Sequence, residues 1–378
     1  MERDDLEPRV RHIFDRKLVR RATGPYSART DAEVDRALRR LFAAEGLRDV
    51  RIDDLKRMAG GASKEQFAFR LTHEAALEPE RLVLRMDPLE SIAETCRLRE
   101  AQILRAMHGV VPVPRVRFVD PEGEHLGQPG LITTFVPGVT KPTDVESASV
   151  SGVGARFSKR WAERLAPQFL QHLVAIHDFD WRRSDLAAFA APRAGTREAA
   201  LRQVGWWARV WRDDRTESVP LLTWTECWLR EHAPICDAPV VVHADYRMGN
   251  FMFEEPEGRF SAVLDWELAH LGDFHADLGW ATQRLFGGWD ESGAFLVGGL
   301  LSREAFLEQY EERSGRVIDR EKLRFYEVLG AWKCAVMQLG PGVRVPLEAN
   351  SHQDLVLSWL ASAGAVMLAD IAALVRRK

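Results

Sequence analysis

Three oxygen-bearing side chains, Asp245, Asn250 and Asp265, stand close together in one largely apolar stretch of the chain. It reads Val240-Val241-Val242-His243-Ala244-Asp245-Tyr246-Arg247-Met248-Gly249-Asn250-Phe251-Met252-Phe253. A turn with Glu257-Gly258 follows, then Phe260-Ser261-Ala262-Val263-Leu264-Asp265-Trp266-Glu267. The apolar runs read as strands, with a polar loop between them and Asp265 at the end of the second. Mg²⁺ takes hard oxygen ligands and keeps waters and substrate phosphates in its shell. An amide and a carboxylate, Asn250 and Asp265, therefore suit a magnesium ion that arrives bound to ATP. Asp245 is left to take the proton of an acceptor hydroxyl. A loop Asp, an Asn further along the loop and a metal-binding Asp beyond is an arrangement used for phosphoryl transfer from ATP. Asp-x-x-x-x-Asn alone is ordinary turn chemistry. The preceding His243, the flanking strands and Asp265 lift it above that.

These residues need elements to hold them. Residues 31–46 carry a helical period, with Val34, Leu38, Leu41 and Phe42 on one face. Strand-like stretches at 50–58 and 65–71 flank Gly60-Gly61-Ala62-Ser63 and read as a hairpin. A strand at 81–85, a helix at 93–108 and strands at 115–119 and 131–136 follow, and Pro137-Gly138 stops the last. The sequence thus predicts a small β-rich lobe over 31–138. Residues 140–156 read as a mobile connection. Helices are expected at 161–179, 199–212 and 223–232, and again after the β-rich island at 240–265 to the C-terminus. Residues 139–378 make a larger helical lobe, and 1–30 an N-terminal extension.

The pattern His243-x-Asp245-x-x-x-x-Asn250, followed by Leu264-Asp265-Trp266-Glu267-Leu268-Ala269-His270-Leu271-Gly272-Asp273-Phe274-His275-Ala276-Asp277-Leu278, resembles the aminoglycoside phosphotransferase and choline kinase superfamily. Asp-Trp-Glu-Leu and Leu-Gly-Asp resemble the branch found fused to some acyl-CoA dehydrogenases. The resemblance runs from about residue 55 to 340 and includes Gln203-Val204-Gly205-Trp206-Trp207 and residues 325–340. It implies an α+β, two-lobed, protein-kinase-like fold with ATP and Mg²⁺ as cofactors. It implies that Asp245 is the base, that His243 supports the loop, and that Asp277 braces it. Asp273 either does the same or caps a helix. Gly60-Gly61-Ala62-Ser63 is neither a P-loop nor the glycine pattern of protein kinases. The resemblance makes it the nucleotide loop, with Gly61, Ala62 and Ser63 holding phosphate oxygens. Arg85 then stands where kinases place the phosphate-pairing Lys, with Glu100 as its ion-pair partner and Glu94 as runner-up. Thr134 and Val136 fall at the hinge, where backbone groups bind adenine. Lys64 is expected at the surface.

The acceptor is expected to be a small molecule carrying a hydroxyl. The resemblance favours a hydroxyacyl-CoA. The alternatives are an aminoglycoside or other antibiotic, or a catalytically silent ATP-binding module that would have lost one of Asp245, Asn250 and Asp265. A protein Ser/Thr kinase would carry His-Arg-Asp and Asp-Phe-Gly, which are not here. The acceptor is placed between the catalytic loop and the helices bearing Trp206 and Trp207, although tryptophans at helical spacing more often form core. Formal net charge is −4 with mixed signs along the chain, so no nucleic-acid stripe is read. Cys96, Cys227, Cys236 and Cys334 lie far apart and point to a reducing compartment. Residues 1–21 lack the apolar core of a signal peptide. Residues 355–375, interrupted by Asp370, read as a buried closing helix rather than a membrane span. A cytoplasmic protein is expected.

Overall fold

The computed structural model describes residues 6–58, 63–143, 157–255 and 257–376, without the Leu77 side chain. Gly60, Gly61 and Ala62 of the expected phosphate loop lie outside the described residues, as does most of the expected connection at 140–156.

After α1 (Pro8–Arg21) and α2 (Asp31–Ala44) comes an antiparallel sheet. Its strands are β1 (Arg51–Arg57), β2 (Glu65–His73), β3 (Ala76–Met86), β4 (Val116–Asp120) and β5 (Gly130–Thr134), in the order β1-β2-β3-β5-β4. Thr30 opens α2 with a reciprocal cap: its hydroxyl accepts the Glu33 N–H, and the Glu33 carboxylate accepts the Thr30 N–H. Such a cap contributes about 1 kcal/mol. The stripe Val34, Leu38, Leu41 and Phe42 packs on Phe67, Phe69 and Leu71 of β2 and on Leu82 and Leu84 of β3. Successive strand side chains face opposite ways, so Arg85 leaves the sheet on the other face from Leu84. Between β3 and β4 runs α3 (Arg97–Met107). It starts later than the spacing suggests because Glu94 turns back to accept the Ser91 N–H at 3.0 Å, and Cys96 is extended.

The second lobe is built from α4 (Lys159–Asp178), α5 (Glu198–Asp214), α6 (Pro220–Glu231), α7 (His275–Ala281), α8 (Arg303–Ser314), α9 (Arg320–Leu339) and α10 (Pro341–Leu347). Before α7, β6 (Val240–Val242) pairs with β9 (His270–Gly272), and β7 (Phe251–Glu254) pairs with β8 (Arg259–Val263). The helices expected after the β-rich island are interrupted. A small antiparallel sheet forms from β10 (Gly288–Trp289), β11 (Phe295–Val297) and β12 (Leu301–Ser302). Gly287 permits it: a Cβ there would lie 2.1 Å from the Phe295 ring. The expected closing helix is two, α11 (Asp354–Ala361) and α12 (Gly364–Arg376). They pack on α10 and α9 through Leu357, Met367 and Ile371, but Leu355, Trp359 and Val366 remain exposed. By length and composition Asp354–Arg376 is also apolar enough to cross a membrane.

The charged N-terminal stretch is a helix in the core of the molecule. Val10, Ile13, Phe14 and Lys17 of α1 are all buried, at the i, i+3, i+4 and i+7 spacing of one helical face. Phe14 meets Trp206 edge-on at 6.2 Å between centroids. Lys17 hydrogen-bonds to Asp214, which Arg21 also reaches at 2.5 Å. Phe14 is fully buried. Phe14→Ala should therefore destabilise the protein by about 3–5 kcal/mol, the usual cost of emptying an aromatic core site. Denaturant unfolding measures it. A loss under about 1 kcal/mol would mean that α1 is not part of the core.

Candidate active site

β6 delivers the chain to a sharp turn at Ala244, whose φ is +67°. That left-handed conformation is unusual for alanine and has to be held by its surroundings. Asp277, fully buried on α7, accepts the N–H of His243 and of Ala244, both at 2.8 Å, and approaches His177 Nε2 at 3.1 Å. Burial works to raise the Asp277 carboxyl; the hydrogen bonds from His177 and from the His243 backbone overcome it and hold it below the usual range. Asp277 thus braces the loop. Asp273 instead opens α7, accepting the His275 N–H at 3.0 Å. The buried His243 ring donates from Nε2 to the Leu264 carbonyl at 2.9 Å, and its Nδ1 accepts the Asp245 N–H at 3.2 Å. Burial lowers its pKa, against Asp277 and Asp245. The ring therefore links the two strands of the site as a neutral scaffold.

Asp245 and Asn250 meet directly. Asn250 Nδ2 donates to the Asp245 carbonyl at 2.9 Å and to its Oδ2 at 2.6 Å. Both amide hydrogens are used, so Asn250 Oδ1 is the oxygen left for a metal. Asp245 Oδ1 accepts from Trp280 Nε1 at 2.8 Å and from Arg247 Nε at 3.0 Å. A carboxylate oxygen accepts about two bonds, so the remaining lone pair of Asp245 lies on Oδ2. Asp265, with φ of +60°, follows β8 and is partly open to solvent. Arg85 occupies its Oδ1 at 2.7 Å.

Arg85 is the junction of a buried charge network. It reaches Glu100 of α3 at 2.5 Å as well as Asp265. Glu100 also pairs with Arg97, and Arg97 reaches Glu267 at 2.9 Å. Lys64 is fully buried, which corrects the expectation of a surface residue. Its ammonium lies 3.4 Å from Asp87 and 3.6 Å from Glu267, and it donates to Ser91 Oγ at 3.0 Å. Those two acids offset the desolvation that the sequence position alone would make prohibitive. Burial works to raise the Glu267 carboxyl, but Lys64, Arg97 and Arg85 overcome it and hold it at about 2. Glu94, the runner-up for Arg85, pairs with Arg20 at 3.0 Å instead.

The nucleotide end is partly described. Ser63 is placed beside this network, its carbonyl accepting the Ser91 hydroxyl at 2.8 Å. Gly61 and Ala62 lie outside the described residues. Thr134 gives its N–H to the Arg115 carbonyl at 2.9 Å and its Oγ1 accepts the Arg115 N–H at 3.0 Å, so that donor belongs to the sheet and not to a base. Val136 follows, half-buried before Pro137-Gly138.

Trp206 and Trp207 are buried core and do not line an acceptor cleft. The space beside Trp207 is about 30 Å³. A larger cavity of about 340 Å³ is lined by Thr282, Gln283, Trp289, Phe295, Arg303 and Leu374 among others. Phe286, two residues after the lining residue Arg284, packs against the loop, its ring 4.8 Å from that of Trp280 and 5.2 Å from the Arg247 guanidinium. Sequence reasoning missed Trp280, Arg97 and Glu267 as parts of the site. Arg97 stood three residues before Glu100, the spacing of one helix face, and was the available signal.

The sequence model of the phosphotransferase enzyme family matches residues 54–326. Mouse acyl-CoA dehydrogenase family member 10 is 30% identical over 213 residues, which is 56% of this chain and 19% of that protein. The chain spans between 15% and 35% of the length of the first curated relatives it matches. A crystal structure of a Ralstonia eutropha protein, provisionally assigned as an aminoglycoside phosphotransferase, superposes with a TM-score of 0.64 at 23% identity, covering 89% of this chain and 97% of that one. A thermostable aminoglycoside phosphotransferase APH(4)-Ia, solved with AMP-PNP and hygromycin B, gives 0.53 at 14% identity, covering 89% and 97%. Those likenesses establish the two-lobed kinase-like α+β fold. The family match takes in both lobes, with Arg85 and Glu100 in one and Asp245, Asn250 and Asp265 in the other, and on that match this chain belongs to the phosphotransferase enzyme family.

Proposed function

We propose that this phosphotransferase moves the γ-phosphoryl group of ATP to the hydroxyl of a small molecule, with Asp245 as base and with Asn250 and Asp265 holding Mg²⁺. The hydrogen bond between Asn250 Nδ2 and Asp245 Oδ2, 2.6 Å, carries the reading. It fixes base and metal ligand on one loop and spends both amide hydrogens on Asp245, which leaves the amide oxygen for the metal. The donor set fits magnesium, being an amide oxygen and a partly exposed carboxylate, both hard oxygen donors. Among the described residues no cluster of three or more His, Cys, Asp or Glu forms a metal cage, so the phosphates would have to complete the shell. Bound there, Mg²⁺ would neutralise charge on the phosphate oxygens.

The residues of the chain supply positioning. Asp245 presents Oδ2 to the acceptor hydroxyl while Trp280 and Arg247 hold Oδ1, so the carboxylate cannot rotate freely. Arg85, kept in place by Glu100, offers a planar fork of donors to a phosphate. The acceptor would enter from the larger cavity. Its Trp289, Phe295 and Leu374 walls suit an apolar body, and Arg303, paired with Glu327 at 2.6 Å, adds a polar edge. A hydroxyacyl-CoA is the leading acceptor, supported by the acyl-CoA dehydrogenase names of the relatives.

ADP release from purified protein with MgATP, offered hydroxyacyl-CoAs, aminoglycosides, macrolides and choline in turn, tests this reading. Efficient transfer to a polycationic aminoglycoside alone would overturn the acceptor, and no transfer to any hydroxyl would overturn the function. Asp245→Asn keeps the shape but removes the basic oxygen. It should lower kcat by about 10²–10⁴-fold with little change in ATP affinity. Near-normal kcat would move the base elsewhere. Asp265→Ala should abolish Mg²⁺-dependent turnover while the far-UV circular dichroism stays native; unchanged turnover would remove Asp265 from the metal.

A further inference from the structure

Lys333 on α9 is buried beneath the catalytic loop. Its ammonium donates to the Ala244 carbonyl at 2.8 Å. It also lies over two indole rings, 4.1 Å from the centroid of Trp280 and 5.1 Å from that of Trp207. An ammonium is costly to bury, and among the described residues the Ala244 carbonyl is its one hydrogen-bond acceptor. Both backbone groups of the left-handed Ala244 are therefore clamped from α-helices, the N–H by Asp277 and the carbonyl by Lys333. Trp280, under the same ammonium, is the residue whose Nε1 holds Asp245 Oδ1.

We propose that Lys333 is a positioning residue for phosphoryl transfer: it fixes the Ala244 carbonyl and the Trp280 indole, and through them the orientation of the Asp245 carboxylate. The inference rests on the reading of Asp245 as the base. Lys333 touches no reacting atom. It acts on the two covalent and hydrogen-bonded routes into Asp245, the peptide unit before it and the indole beside it. Misplacing a reacting group by about 1 Å can cost about 10²-fold in rate.

The proposal has a pH signature. Burial first of all lowers the Lys333 pKa, to about 8, against the pull of Asp245, Cys334 and Asp277. The titratable groups around it are Asp245 on the loop, Asp277 on α7, His270 on β9 and its own neighbour Cys334. His270 is pushed down to about 4, chiefly by burial, and Cys334 up to about 12, again chiefly by burial. Neither changes charge between pH 7 and 9. Above pH 8 the ammonium loses its proton, and the clamp and its cation–π contacts weaken.

The measurement is ADP release from MgATP, with water or 3-hydroxybutyryl-CoA as acceptor, from pH 6 to 10. The unaltered protein should lose kcat with a midpoint near 8. Lys333→Met should lower kcat at pH 7 by about 10- to 100-fold, leave the KM for ATP within about threefold, and lack that midpoint. Lys333→Arg keeps the charge at all these pH values and should recover part of kcat without the fall near pH 8. Amide exchange at His243–Asp245 should quicken in the Met variant whatever the acceptor. Transfer by the unaltered protein, with kcat, pH profile and loop exchange all unchanged in Lys333→Met, would overturn this proposal alone. Quickened exchange together with Asp245→Asn activity at the normal level would instead overturn the assignment of the base. If Lys333→Met does not fold, an unaltered protein with flat kcat across pH 7–9 overturns the proposal.

Discussion

One guanidinium joins the two lobes at the site. Arg85 leaves β3 on the face away from the small-lobe core and pairs with Glu100 on its own lobe and Asp265 on the other. A single arginine with two buried or half-buried acid partners is stable only if its neighbours also balance charge, since an unpaired charge there would be costly. Arg97, Lys64, Glu267 and Asp87 supply that balance. The consequence is geometric. The last residue before β2, the start of α3 and the Asp265–Glu267 segment are tied into one cluster, so the small-lobe and large-lobe sides of the cleft share a common anchor. A network of this kind contributes little net stability against an apolar alternative, but it restricts how its members can be arranged.

The loop that carries Asp245 is held differently, by backbone rather than by ion pairs. Ala244 and Asp265 both have positive φ, in a region where non-glycine residues are uncommon. At Ala244 the cost is offset by Asp277 and Lys333, which take its N–H and its carbonyl. His243 then links the loop to the strand that ends near Asp265 through the Leu264 carbonyl. Strain at one alanine, clamped from two helices, turns Asp245 toward Asn250. The strain is local and its support comes from distant parts of the chain.

That split explains what the sequence could reveal. Asp245, Asn250 and Asp265 fall within one short stretch, where a loop between two apolar runs places them together without knowledge of the rest of the fold, and the roles of His243 and Asp277 came from the family resemblance. Arg85 and Glu100 were legible through the family resemblance, which pairs a residue at the end of that strand with one on the next helix, and the two do meet. Lys64 was not, because the acids that make its burial tolerable, Asp87 and Glu267, are remote in sequence. Neither was α1. The fourth position of its apolar stripe is Lys17, which looks like a solvent residue until Asp214 is placed against it. Trp206 and Trp207 were expected beside the acceptor, although their helical spacing favoured core, and core is what they form. Phe14 of α1, absent from the sequence reading as a packing element, is what closes the space in front of Trp206. The sheet β10–β12 rests on strands of two or three residues, too short to carry a period of their own.

The position of α1 bears on how the lobes can move. On the small-lobe side Arg20 reaches Glu94 at 3.0 Å, Arg21 reaches Glu90 at 2.9 Å, and Glu7, just before the helix, accepts from Arg99 at 2.7 Å. On the large-lobe side Lys17 and Arg21 share Asp214, and Arg209 reaches Asp15 at 3.0 Å. Arg344 closes the circuit by binding both Glu90 and Asp214, at 2.9 and 3.1 Å. Glu90 and Asp214 are both held below the usual carboxylate range; burial works to raise them, and the surrounding cations overcome it. Rotation of the small lobe about the segment at Pro137-Gly138 would have to break these buried pairs or carry α1 along. Breaking a buried pair leaves an uncompensated charge, at a cost of about 3–5 kcal/mol. Carrying α1 would pull Phe14 from the tryptophan core. The cheaper motions are those that leave α1 and its acids in place, among the side chains of the cleft, where the Arg85–Asp265 pair crosses between the lobes and Asp265 is still partly open to solvent.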